Sequence, residues 1–180
     1  MATEIEYEKT YLLKRLPEGI EAAPYVMIRD TYIPDTISHA HLRLRAKDDK
    51  YVITKKHPVA GADSSVQYEH TIELTKEEYD ALVTCSTKDF VKRRYFMNIA
   101  GHDAEIDVYG EKLAGLVVVD FEFPSEAEKD AFVKPDICLA DVTQEEVTAG
   151  GYISGKSYDD IAVVLQKYCY RKLEDEAWRS

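Results

Sequence analysis

The sequence predicts an α+β fold that is mainly β: a closed antiparallel barrel, or tunnel, of about eight strands, with helices packed outside it and a helix at the C-terminal end. Three observations lead there. Short segments of alternating polarity, separated by turn residues, fill residues 4–123. Four of them carry like charges two positions apart: Glu6-Tyr7-Glu8, Arg43-Leu44-Arg45, Lys92-Arg93-Arg94 and Asp120-Phe121-Glu122. Side chains at i and i+2 of a strand share one face, roughly 7 Å apart, so each pair places charge of one sign on one side of the sheet. Finally, helix-start signatures interrupt the strands sparingly and gather after residue 123.

The first strand is predicted over 4–13, ended by Leu16-Pro17-Glu18-Gly19. A second covers 25–33, with Pro34-Asp35 turning the chain. Residues 41–46 and 51–56 form a hairpin around Lys47-Asp48-Asp49-Lys50, and 57–65 is a loop before a strand over 68–74. Thr75, with Glu78 three residues on, starts a short helix through Leu82 and Val83. A second hairpin, 90–99 and 104–109, turns at Ala100-Gly101-His102-Asp103. Residues 116–123 are β-branched and read as a strand. Ser125 and Glu128 carry a second capping-box signature for a helix to about Val133, which Pro135 ends. Residues 136–156 give no clear periodicity, though Thr148-Ala149-Gly150-Gly151 and Gly155 suggest a structured loop. Ser157 caps a last helix through Ile161, Val164, Leu165 and Tyr168, and the charged tail 171–180 is expected to fray. That helix is placed to block one tunnel mouth. No linker divides the chain, so one domain over 1–180 is expected, with a barrel core at about 4–123 and a helical part at about 125–175.

Composition narrows the function. At 180 residues the chain can bury one substantial core, and 45% hydrophobic with 32% charged residues is ordinary for a globular protein. A formal net charge of −11 argues against binding duplex nucleic acid, which needs a broad basic surface. It leaves room for a focused basic pocket. Cys85, Cys138 and Cys169 are odd in number and form no Cys-x-x-Cys, which reads as reduced thiols of a cytoplasmic protein. No apolar run is long enough for a membrane helix, and the start shows no signal segment.

Like charges on one strand face repel unless something of opposite sign lies between them. Paired carboxylates point to a metal cation, and paired Arg and Lys to a polyanion such as phosphate. Both in one chain point to a metal–phosphate complex. Hard cations such as Mg²⁺ take oxygen ligands and bridge one or two carboxylates to phosphate. Arg offers phosphate a planar fork and Lys a point charge. By parity Lys55, His70 and Arg93 face outward. Tyr152, Lys156 or Tyr158 could reach a substrate from the C-terminal part.

Taken in order, Glu6-x-Glu8, Arg43-x-Arg45, Thr54-x-Lys56, Glu69, Lys92-x-Arg94, Glu105-Ile106-Asp107 and Asp120-x-Glu122 resemble the CYTH superfamily, the triphosphate tunnel metalloenzymes. The stretch 116–126 is similar to that family's last barrel strand running into a capped helix. The resemblance spans about residues 4–165. It implies a tunnel with charged residues inside, dependence on Mg²⁺ or Mn²⁺, and action on a triphosphate. On it, Glu6, Glu8, Glu69, Asp107, Asp120 and Glu122 are the metal ligands, with Glu105 in the same acidic wall. Arg43, Arg45, Lys56, Lys92 and Arg94 bind substrate. Glu8, Arg94 and Glu122 are the catalytic residues. Thr10 stands where the family carries a lysine, and Gly150-Gly151-Tyr152 where it carries an Arg-Tyr pair. The function expected is hydrolysis of a short triphosphate, most simply inorganic tripolyphosphate to pyrophosphate and phosphate, by a monomer or homodimer. The alternatives are a class IV-type adenylate cyclase, a thiamine or nucleoside triphosphatase, or a polyphosphate- or nucleotide-binding module without turnover.

Overall fold

The structure, a computed structural model, describes residues 3–174, and the predicted fraying of 175–180 lies outside them. Nine strands form one sheet: β1 (Thr3–Leu13), β2 (Tyr25–Ile33), β3 (Leu42–Lys47), β4 (Lys50–Pro58), β5 (Val66–Leu74), β6 (Asp89–Ile99), β7 (His102–Tyr109), β8 (Val117–Phe123) and β9 (Cys138–Asp141). Their order is β5-β4-β3-β2-β6-β7-β8-β1-β9, and β1 also pairs with β5. That last pairing closes eight antiparallel strands into the predicted barrel. β9, which sequence periodicity missed, lies outside the ring on the second half of β1. Four residues are too few to display a period.

The helices are α1 (Lys76–Val83), α2 (Glu126–Ala131), α3 (Gly150–Ile153) and α4 (Tyr158–Leu165). Thr75 and Ser157 each make both bonds of a capping box. Ser125 makes half of one: it accepts from the Glu128 amide, but the Glu128 carboxylate turns to the serine hydroxyl. α2 ends at Ala131, before the predicted Val133, because Phe132 turns extended to enter the core. The β6–β7 turn is tight, Ala100 and Gly101 both having positive φ (54° and 89°) between the paired Ile99 and His102.

Two apolar clusters hold the barrel. Outward-facing Tyr11, Tyr95, Ile106, Val117, Val119 and Phe121 pack against Phe132 and Cys138. Leu12, Phe90, Tyr109 and Val118 have inward parity. With Tyr32 they form a second cluster with Val142, Val147, Ile153, Tyr158, Ile161 and Leu165. The C-terminal segment thus seals part of one barrel end with apolar contacts, which is why Tyr158 does not reach the lumen. The tail is better anchored than expected as far as residue 173: the Tyr170 hydroxyl accepts from Val117 N and donates to Gly115 O, and Leu173 N donates to Gly115 O. No described helix is long and apolar enough to cross a membrane.

Candidate active site

The lumen is one cavity of about 380 Å³, and every charged residue of the four i, i+2 pairs that was predicted to face inward lines it. Arg43 and Arg45 come from β3, Lys56 from β4, and Lys92 and Arg94 from β6; they face Glu6 and Glu8 on β1, Glu69 on β5, Glu105 and Asp107 on β7, and Asp120 and Glu122 on β8. Closure of the ring brings the acidic pairs together. β1 and β8 are neighbours, with Glu8 opposite Glu122 and Thr10 opposite Asp120.

The carboxylates fall into two groups by what holds them. Asp30, which the sequence reading missed, is fully buried opposite Arg45 in the β2–β3 register, and both its oxygens accept from that guanidinium at 2.7 Å. Burial pushes its carboxyl up, but Arg45, Arg43 and Lys92 outweigh that and hold it well below the usual carboxylate range. Asp107, 1% exposed, is likewise bonded to Lys92 and to the Arg94 Nε and Nη2. Burial raises it, and Arg94 and Lys92 more than reverse the effect. Asp107, read from sequence as a metal ligand, is thus engaged through both oxygens by Lys92 and Arg94. Glu105 also pairs with Arg94.

Of the other carboxylates, Glu8, Glu69 and Asp120 each accept a bond from a neutral donor, Asp120 also accepts from Arg94 Nη2 at 3.4 Å, and Glu6 is held by Lys56. Thr10 Oγ1 donates to Asp120 Oδ1 at 2.6 Å, Gln67 Nε2 to Glu8 Oε1 at 2.8 Å, and Thr71 Oγ1 to Glu69 Oε1 at 2.9 Å. Lys56 Nζ bridges Glu6 and Glu8 at 2.7 and 2.8 Å. Burial, then Glu105 and Glu6, push the Glu122 carboxyl up to about 7. Burial, then Asp107 and Glu8, raise Asp120. Crowded oxygen donors whose charge is resisted for want of a counterion suit a hard divalent cation. Among the described residues, no three are already gathered around one point as a ready metal cage.

On the cationic wall, burial and the adjacent Arg94 pull the Lys92 ammonium down to about 8. Arg43 is held by the Tyr32 hydroxyl and lies 3.6 Å from Glu69, while its buried Nε has no hydrogen-bond partner among the described residues. Tyr32, His39, His41 and Tyr109 also line the cavity and were not picked out from sequence. Asp30 carried a legible signal, an acid inside an otherwise strand-forming run. Tyr32 and Tyr109 read as ordinary core aromatics. Lys156 does not reach the lumen; its Nζ lies over the Tyr152 ring and bonds Tyr152 O.

Gly150 and Gly151 line the cavity where the C-terminal segment crosses it. A Cβ on Gly150 would lie 2.1 Å from the Tyr32 hydroxyl, and one on Gly151 2.1 Å from the Ala40 carbonyl oxygen. The glycines are there for close approach.

Fold and lumen together define a closed barrel whose lumen sets a cationic wall against a carboxylate wall. No family model matches the chain. An inorganic triphosphatase of Nitrosomonas europaea is 30% identical over 143 residues, spanning 78% of this chain and 91% of that protein. Two crystal structures of the protein NE1496, one described as an inorganic triphosphatase, match with TM-scores of 0.62 and 0.60 at 26% and 25% identity; they span 84% and 86% of this chain and 99% and 95% of theirs. The chain belongs to the CYTH superfamily, the triphosphate tunnel metalloenzymes.

Proposed function

We propose that the protein hydrolyses inorganic tripolyphosphate to pyrophosphate and phosphate, with Mg²⁺ or Mn²⁺ as cofactor. The observation that carries this reading is the opposition, in one lumen, of Arg43, Arg45, Lys56, Lys92 and Arg94 to Glu6, Glu8, Asp120 and Glu122. The similarity to a protein described as an inorganic triphosphatase supports the choice of substrate.

Charge arithmetic explains the cofactor. Among the described residues, eight barrel carboxylates line the lumen, Asp30 included, against five cationic side chains. A triphosphate entering alone would add negative charge to an acid excess. Glu6, Glu8, Asp120 and Glu122 would hold the metal, with Glu69 beside them, and the bound ion would supply Lewis-acid polarisation of phosphate oxygens and a more acidic water.

Arg43, with its unengaged Nε, takes a phosphate oxygen, and Arg45 and Lys56 fix the chain further along. Each close charge pair is worth ~4 kcal/mol gross at an effective dielectric of about 20, much of it returned as desolvation. Asp30 and Asp107 aim Arg45, Lys92 and Arg94 rather than touching substrate. As the P–O bond to the leaving pyrophosphate breaks, Arg94 and Lys92 stabilise charge on the transferring oxygens. Glu8 and Glu122 orient the attacking water and accept its proton. We further place the protein in the cytoplasm as a monomer or homodimer; its three cysteines are free.

A screen of phosphate release from tripolyphosphate, thiamine triphosphate, ATP and GTP in each metal tests the reading. Tripolyphosphate is expected to be the best substrate. Pyrophosphate and cyclic AMP as the only products from ATP would replace the reaction by a cyclase. Thr10 favours a second reading, a binding module without turnover, because the family's lysine is absent there. Calorimetric binding of tripolyphosphate with no phosphate released, and turnover regained in Thr10→Lys, would establish it.

A further inference from the structure

We infer that Gln67 is a positioning residue for Glu8, fixing that carboxylate toward a divalent cation; this rests on the metal-dependent reading above. Gln67 stands opposite Glu6 in the β1–β5 register, with its side chain lining the lumen. Its Nε2 donates to Glu8 Oε1 at 2.8 Å and to the Ser64 carbonyl at 2.9 Å. Both neighbours accept only, so the NH₂ end of the amide must face them and both its hydrogens are used. The next residue, Ser65, accepts the Glu8 backbone amide through its carbonyl at 3.0 Å, and Ser64 N is itself held by Gln144 Oε1. One loop therefore references both the backbone and the side chain of Glu8.

The second grip on Glu8 is of another kind. Lys56 Nζ holds Oε2, and it also holds Glu6. An ammonium between two carboxylates occupies the position a cation would want, and like charges repel, so a metal arriving there displaces it. A neutral amide carries no such conflict. It orients one oxygen, leaves the full negative charge for the ion, and stays when Lys56 turns to the phosphate chain. Loss of a partner that orients a ligand typically costs about 10- to 100-fold in metal affinity.

The test measures Mn²⁺ binding to the substrate-free protein by calorimetry, with free Mn²⁺ counted by electron paramagnetic resonance. Wild type, Glu8→Gln and Gln67→Leu are compared, with Gln67→Met in place of leucine if thermal unfolding shows that leucine disturbs the barrel. Gln67→Leu is expected to bind Mn²⁺ at least tenfold more weakly. In turnover, the half-saturating metal concentration rises by a similar factor, and kcat at saturating metal falls because Glu8 also orients the attacking water, while KM for tripolyphosphate changes by less than threefold. A folded Gln67 variant that binds Mn²⁺ within twofold of wild type, while Glu8→Gln loses it, overturns the role of Gln67 and leaves the metal reading standing. Absence of Mn²⁺ binding by wild type and Glu8→Gln alike overturns the metal reading and this inference with it.

Discussion

Asp30 shows how a single buried residue organises the cationic wall. It is closed to solvent and doubly bonded to Arg45, so removing its charge leaves an uncompensated guanidinium in the barrel. Asp30→Asn is expected to cost roughly 3–5 kcal/mol of stability, read from urea unfolding, and to weaken substrate binding through a misplaced Arg45. Lys92 gives a pH signature. Its pKa lies near 8 because burial and Arg94 both disfavour the ammonium. The charged form therefore prevails below that pH and is lost as pH rises through it. Affinity for tripolyphosphate should fall above about pH 8, and Lys92→Arg, always protonated, should flatten that limb in a calorimetric pH series. Parity alone placed Lys92 and Arg94 inside; nothing in parity said that Asp107 would be spent on them.

At the scale of elements, the tight connections carry the clearest tests. Ala100 occupies left-handed backbone (φ 54°) in the β6–β7 turn, where an alanine Cβ is crowded. Ala100→Asn should stabilise the protein by roughly 1 kcal/mol, raising the urea midpoint without touching activity. Gly151→Ala should do the reverse, destabilising by about 1–3 kcal/mol, because its Cβ meets the Ala40 carbonyl, which cannot rotate away. Gly150→Ala meets the tip of Tyr32 and should cost less. The capping boxes at Thr75 and Ser157 were legible as spacings because both halves are local in sequence. The segment from 136 to 156 was not legible. β9 and α3 are four residues each, and they exist because β1 and Tyr32 offer them surfaces that lie far away in the chain.

For the whole molecule, the lumen's acid excess couples its two ligands. Tripolyphosphate and divalent metal should each bind more tightly in the other's presence, because each relieves the charge that opposes the other. Calorimetry with and without Mg²⁺ should show at least a tenfold gain in tripolyphosphate affinity. Equal affinity in both conditions would mean that the carboxylate wall does not work through a metal. EDTA alone should leave the melting temperature unchanged, because the barrel is held by its two apolar clusters and not by an ion.

The period-two charge pattern was enough, on its own, to set which side chains turn inward, since side-chain direction along a strand alternates whatever the strand pairs with. It also carried the strand count of the barrel, through runs and turns that are local. Which carboxylates lie beside cations and which beside amides and hydroxyls was decided only by closure of the ring. Register between β1, β5 and β8 joins residues about sixty to more than a hundred positions apart: Glu8 meets Gln67 and Glu122, and Thr10 meets Asp120. No local rule fixes such register; it comes from packing every strand's apolar face at once.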